Sequence, residues 1–551
     1  MGVVNQSAMA LPNSQLIYGE AVRALAVSAD ELLQSSVNRT VAILPGQPSL
    51  ISFLFFVLVL LAGWFTTRLR NRSSKGRKNY PPGVPGGLPL IGNLLQLKSQ
   101  KPHRTITDLS EQFGPIFQLN LGPLKYVVLT SPELAKEAGV TKFESVSKRN
   151  LLNNLKAWSK NKNIVALSDY GDEYRKLKKL LSSRVLGTSP QKSLACIREQ
   201  LLKTVLDDVR WKLDGSSGAV NVRESIKHYI FPFVMHQILG YVPESVYVPE
   251  IGKLELWDIF LHLVVNPMKS VITVDWRDFL PFFNWLPNPV FEKKVLDVEK
   301  VRCVVVRALV EQKRRHLELQ GPTGGFLEHL LTVETNLSSM KVELLTWEPI
   351  IEGSDTSLVS AEWAMYELAK HQDIQERLYQ EIQKVVGSRM VTESDLPNLS
   401  LLDAIFKETL RLHCPIVLLP PREVEEDITI GGYHIPKGWQ VLINVYGINN
   451  DKKRWAKWNE WIPDRFLNAP ELDMGVNDFQ LIPFGLGKRR CAGALQATTI
   501  VCSFIASFVQ RFHCSLPRDD ASFLEDTAYL TTQKLHPLEV IARPRSSHVQ
   551  H

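Results

Sequence analysis

Phe484-Gly485-Leu486-Gly487-Lys488-Arg489-Arg490-Cys491-Ala492-Gly493 is the stretch on which the reading of this chain turns. A cysteine stands behind a glycine-rich turn, among three cations, just ahead of an apolar, helix-like run from Ala492 to Phe512. That setting suits a thiolate holding a metal, because a helix N-terminus and the charges of Lys488, Arg489 and Arg490 all favour S⁻ over SH. Gly487 and Gly493 allow backbone to pass close to a flat ligand. Arg489 can pair with a carboxylate, and Phe484 can screen the sulfur from water. A buried structural cysteine after a loop is the competing reading.

The filled spacing F-x-x-G-x-R-x-C-x-G resembles the haem-binding loop of the cytochrome P-450 monooxygenases. The resemblance implies a mainly α fold with minor β sheets. It also implies haem b with Cys491 as the axial thiolate, which pushes electron density onto iron. Arg489 then meets a haem propionate, and Gly493 and Phe484 belong to the cofactor site.

Working outward, the E-x-x-R of Glu408 and Arg411 lies on a helical stretch, where residues three apart share a face. Pro463-Asp464-Arg465-Phe466 follows before the cysteine. By resemblance, Glu408, Arg411 and Arg465 form a buried structural triad behind the haem. Glu352-Gly353-Ser354-Asp355-Thr356-Ser357 puts a glycine, an acid and an alcohol inside a long helix, which is locally unfavourable. Thr356 can turn its hydroxyl to the carbonyl four residues back, loosen the ladder and open a polar notch. The segment resembles the family's distal acid–alcohol pair, so Asp355 and Thr356 are the expected catalytic proton relay. Glu352 stands where many members carry a small residue.

Two positions depart from the family pattern. Where a Trp and an Arg usually contact a propionate, this chain has Tyr174 and Lys178, and lysine lacks the bidentate fork. Arg422, just after Pro420-Pro421, is the better second propionate partner. Arg175, Lys176, Lys178 and Lys179, with Lys488 and Arg490, can form a basic patch on the cysteine side that steers an acidic electron donor.

The chain has 551 residues, is 44% hydrophobic and carries a formal net charge of +7. The excess charge is local. Arg68, Arg70, Arg72, Lys75, Arg77 and Lys78 directly follow Ser49 to Thr67, a run without charge. At about 1.5 Å per residue that run reaches roughly 28 Å as a helix, about one hydrocarbon core. Residues 49–67 therefore read as a single transmembrane anchor. The cations behind it place the large domain in the cytosol and remove the case for nucleic acid. Residues 68–87 form a basic, Pro/Gly-rich hinge and 88–545 the haem-thiolate domain, while 1–48 is an unassigned tail. Cys196, Cys303, Cys414, Cys491, Cys502 and Cys514 are scattered, without a CxxC pair, which argues against a disulfide framework or a zinc site.

Much of the domain resembles one plant group of the family, the ent-kaurene oxidases. The match rests on stretches such as Val274-Asp275-Trp276-Arg277-Asp278-Phe279, Glu362 to His371, Gly431 to Pro436 and Cys491 to Ala497. It implies three oxidations of one methyl of ent-kaurene to ent-kaurenoic acid, as in gibberellin-type diterpenoid synthesis. It further implies an NADPH-cytochrome P-450 reductase as partner, and the endoplasmic reticulum membrane or the plastid outer envelope as location. Another terpenoid or a sterol as substrate, or a haem-thiolate isomerase or dehydratase needing no O₂, are the alternatives. Pro415 to Pro420, Ile350, Ile351 and Leu151 to Leu167 can wall an apolar pocket, though each serves equally as plain core.

Overall fold

The computed structural model describes residues 79–97, 101–214, 218–517, 526 and 530–545. The expected tail, anchor and most of the hinge lie outside them. Among the described residues no helix is long and apolar enough to cross a membrane.

In chain order, the elements that position the site begin with β1 (Ile116–Leu121), β2 (Leu124–Leu129), α1 (Asp172–Leu181), α2 (Ala195–Asp214) and β3 (Ala219–Asn221). Next come α3 (Val222–Leu239), α4 (Asp297–Gln320), α5 (Ser339–Lys370), α6 (Gln372–Val386) and α7 (Ser400–Leu412). The last are β4 (Arg422–Glu423), β5 (Gln440–Ile443), α8 (Ala494–Arg511), β6 (Phe512–Ser515) and β7 (Glu539–Pro544). The fold is mainly helical with small sheets, as expected.

The long helix α5 is the axis of the molecule. Ser338 caps it by accepting the Lys341 N–H at 3.3 Å. It is apolar on nearly every side, so it is buried all round, packed between α3 and α8. Trp347 and Trp363 fix its ends by donating to the Leu263 carbonyl (2.9 Å) and the Thr532 carbonyl (2.7 Å). Ile350 and Ile351 belong to this core rather than to a ligand wall. Burial of such a side chain contributes about 2 kcal/mol each.

Strands β1 and β2 flank the Gly122-Pro123 turn and pair antiparallel from Ile116↔Leu129 to Leu121↔Leu124. Gly122 takes φ +58° in the tight turn. Along β2, β5 runs parallel, and β4 adds antiparallel with Arg422 opposite Val441. That pairing sets where Arg422 stands. A second sheet has the order β6-β7-β3.

The helix that begins at Asp172 turns into a wider coil at Ser182–Leu186, and the helical stretch after it breaks before Ala195. From Ile230 to Leu239 helix α3 is apolar and buried on nearly every face, and it carries Pro232 inside, so the sequence shows no helical period there.

Candidate functional site

The cysteine loop is held by its own backbone. Cys491 donates its N–H to the Phe484 carbonyl at 2.9 Å, and Arg490 donates to Gly487 at 3.0 Å. Gly485 and Gly487 take φ of +68° and +64°. A Cβ on Gly487 would lie 2.3 Å from the Gly139 carbonyl oxygen, so only glycine fits there. Gly493 stands differently from Gly487 toward the rest of the protein. Its φ is −88°, and a Cβ would meet Cys491 Sγ at an ordinary 3.8 Å. Its contribution is an N–H directed to the sulfur at the start of α8.

From α1, Lys178 Nζ donates to the carbonyls of Lys488 (2.8 Å) and Arg490 (3.0 Å), and the Tyr174 hydroxyl donates to that of Lys488 at 3.2 Å. Both therefore clamp the loop. Of the expected basic patch, Lys176 and Lys179 are exposed on this helix, while Arg175 is paired with Asp172 and half-exposed Lys488 with Glu144 at 3.3 Å.

Cys491 and Glu352 both carry accessible surface although protein encloses them on all sides, which places both on an internal void. Burial, and next the charge of Glu352, push the Cys491 thiol up; the Gly493 N–H, Arg490 and Lys178 pull it down. Of the three loop cations credited from the sequence, Arg490 is the one that acts on the sulfur. Arg490 also lies over the Phe484 ring, 5.9 Å from its centroid. A bound metal cation would tip this balance to thiolate.

At one edge stand three guanidiniums, those of Arg149, Arg422 and Arg489, and none forms an ion pair among the described residues. Arg489 donates to the carbonyls of Ser147 (2.7 Å) and Ser168 (2.8 Å) and covers the Tyr174 ring at 4.9 Å. Arg149 donates to the Pro420 and Pro421 carbonyls. The Arg422 guanidinium makes no hydrogen bond to any described residue, and Arg422 Nη1, Arg149 Nε and Arg489 Nε are buried and unpartnered. Burial and the neighbouring Arg489 charge push Arg422 down to about 10. Arg149 and Arg422 are buried and Arg489 is half-buried, each with an orphaned N–H, and such groups call for anions. The two carboxylates of a haem fit this requirement, and Cys491 faces the same interior. Sequence reading missed Arg149, an isolated arginine whose spacing signals nothing.

On α5, Thr356 donates its hydroxyl to the Glu352 carbonyl at 2.9 Å, as expected, yet the helix runs unbroken through the segment. The Asp355 carboxyl meets the C-terminal segment, where it accepts the Thr531 hydroxyl at 2.8 Å. Burial raises it to about 6 against that hydrogen bond and Arg223. One turn before Glu352, Glu348 accepts the N–H groups of Val165 (2.9 Å) and Ala166 (2.8 Å), and burial lifts it to about 7. Glu348 was within reach of the sequence, four residues ahead of Glu352 in an apolar run.

The structural triad forms as the resemblance implies. Arg411 donates to both oxygens of Glu408 at 2.7 and 2.9 Å, and Arg465 Nε reaches Glu408 at 3.3 Å. Spare Arg411 donors bind the carbonyls of Trp458 (2.8 Å) and Glu460 (3.0 Å).

The family model described as Cytochrome P450 matches residues 81–540, and the chain belongs to that family of haem-thiolate monooxygenases. Its cofactor is haem with a thiolate-ligated iron. Among similar proteins, Ent-kaurene oxidase 2 of Oryza sativa subsp. japonica is 43% identical over 84% of this chain and 91% of its own length. Ent-kaurene oxidase of Salvia miltiorrhiza is 42% identical, over 84% and 89%. Ent-sandaracopimaradiene 3-hydroxylase of Oryza sativa subsp. japonica is 40% identical, over 85% and 91%. A solved zebra fish cytochrome P450, titled with progesterone, superimposes with a TM-score of 0.66 at 22% identity, covering 81% of this chain and 99% of that one; it shares the fold.

Proposed function

We propose that this chain is an ent-kaurene oxidase, taking one methyl of the diterpene through alcohol and aldehyde to the acid in three successive oxidations. The observation that carries the reading is the 42–43% identity to two ent-kaurene oxidases over about nine tenths of their lengths. Haem bound in the void supplies the redox-active iron for reductive activation of O₂. Cys491 would hold the iron, and Arg149, Arg422 and Arg489 would hold the propionates. Tyr174 and Lys178 keep the loop carbonyls in place, while Phe484 and Gly493 shape the sulfur's surroundings. Asp355 and Thr356 bring protons toward the void, with Asp355 pushed up toward neutral pH, where it can both hold and release one.

The basic face around Lys488 and α1 suits the acidic surface of an NADPH-dependent reductase. Residues 49–67 would anchor the domain to the cytosolic face of the endoplasmic reticulum or to the plastid outer envelope. Similarity to the 3-hydroxylase favours a second reading, in which a different diterpene hydrocarbon is hydroxylated once.

The test is incubation of membranes carrying the protein and a reductase with ent-kaurene and, in parallel, ent-sandaracopimaradiene, with products identified by mass. Formation of ent-kaurenol, ent-kaurenal and ent-kaurenoic acid is expected. Their absence refutes the substrate assignment, and a hydroxylated sandaracopimaradiene in their place selects the second reading.

A further inference from the structure

Among the acids along α5, Glu352 stands apart. Both carboxyl oxygens of Glu348 are bonded to backbone N–H groups, Asp355 is bonded to Thr531, and Glu362 is paired with Arg223 at 2.9 Å. The Glu352 carboxyl receives no hydrogen bond from any described residue, and its accessible surface opens on the void that Cys491 also faces. The Thr356 hydroxyl one turn on is already committed to the Glu352 main chain. Burial, and then the nearby charge of Glu348, hold Glu352 well above the usual carboxylate range, which favours the protonated form, and that form offers one O–H donor and one C=O acceptor. A buried polar group left unpaired is costly, and a ligand that supplies the missing partner is selected over one that cannot. A terpene hydrocarbon has no such partner. The alcohol or aldehyde made from it does.

We propose that the Glu352 carboxyl is the hydrogen-bonding anchor for the oxygen atom that the first oxidation installs, holding the terpenoid alcohol and aldehyde in the void for the next turn. The anchor rests on the proposed successive oxidation of a hydrocarbon, but not on which diterpene skeleton is used. It makes Glu352 a determinant of how far the oxidation proceeds. It also separates this residue from a proton carrier, since glutamine keeps a donor and an acceptor yet cannot pass a proton.

The test titrates the full-length holoenzyme with ent-kaurene and with ent-kaurenol, reading the ligand-induced shift of the haem absorption band as a binding signal. The wild type is expected to bind the alcohol about tenfold more tightly than the hydrocarbon, the effect of one buried hydrogen bond. E352Q keeps most of that ratio. E352M brings it close to one, leaves hydrocarbon binding within about twofold, and in turnover releases more alcohol relative to acid; E352A is read instead if E352M fails to take up haem. A ratio unchanged in E352M overturns the anchor. Equal loss in E352Q and E352M also overturns it, in favour of proton transfer. If the wild type does not bind ent-kaurene, the substrate assignment fails on its own. The same ratio is then read on ent-sandaracopimaradiene and its 3-hydroxy product, where a preference independent of Glu352 overturns the anchor.

Discussion

Replacing Arg422 with methionine keeps an unbranched stem beside Phe143 and removes one charge from a pocket that holds three. Arg422 falls from 12.5 to about 10 in the fold. At 1.36 kcal/mol per pH unit, that depression corresponds to about 3 kcal/mol held against the folded chain when no anion fills the pocket. The sign follows from proton binding. An arginine whose folded pKa lies below its unfolded one binds its proton less well in the fold, so the cost is present at every pH below about 10. Haem carboxylates reverse it, because a charge-assisted hydrogen bond to each guanidinium contributes roughly 1.5–3 kcal/mol. R422M should therefore stabilise haem-stripped protein against urea by up to about 3 kcal/mol, and should speed haem transfer to excess apomyoglobin by about 10- to 100-fold. The assays are urea unfolding followed by tryptophan fluorescence, and haem transfer followed by absorbance. A variant that loses stability without haem and releases haem at the wild-type rate refutes the reasoning that the cluster exists to meet propionates.

Three other outcomes are expected. In D355N, removal of a carboxyl raised from 3.8 to about 6 abolishes a cost that grows as the unfolded chain gives up its proton between about pH 4 and pH 6. The variant should match wild type in urea at pH 4 and exceed it by up to about 3 kcal/mol at pH 7, while less of the NADPH it consumes yields product. C491S should keep its far-UV circular dichroism and lose the red-shifted band of reduced, carbon-monoxide-treated protein; a retained band and retained turnover would sink the ligand assignment. R411M leaves the buried Glu408 carboxylate without its bidentate partner, a loss of about 3–5 kcal/mol in urea midpoint and slope. The double variant R411M with E408L should recover much of it, and equal loss in both would show that the carbonyl contacts of Arg411, not the pair, hold the region.

The parts of the site that could be read in the sequence are those whose partners lie within one element or one loop. The turn before Cys491 shows in Gly485 and Gly487, the Glu408–Arg411 pair in an i,i+3 spacing, and the Thr356 back-bond in an i,i−4 one. Each rests on a few consecutive residues, so spacing alone determines the neighbour. What stayed hidden is convergence from distant segments. Thr531, the partner of Asp355, comes from 176 residues away. Arg149 is one cation among many until strand β4 brings Arg422 and the cysteine loop brings Arg489 beside it. The same limit applies to the glycines: Gly493 and Gly487 look equivalent as letters, and only the approach of Gly139 shows that the protein itself leaves no room for a side chain at Gly487. Helix α3 was hidden for the opposite reason, since its second half, Ile230 to Leu239, is buried on nearly every face and carries no polar stripe to mark its period. Charge balance is the clearest case. Whether a cation is paired depends on what three or four elements place around it, so the need of this pocket for an anion becomes visible only when the guanidiniums of Arg149, Arg422 and Arg489 are found together without one.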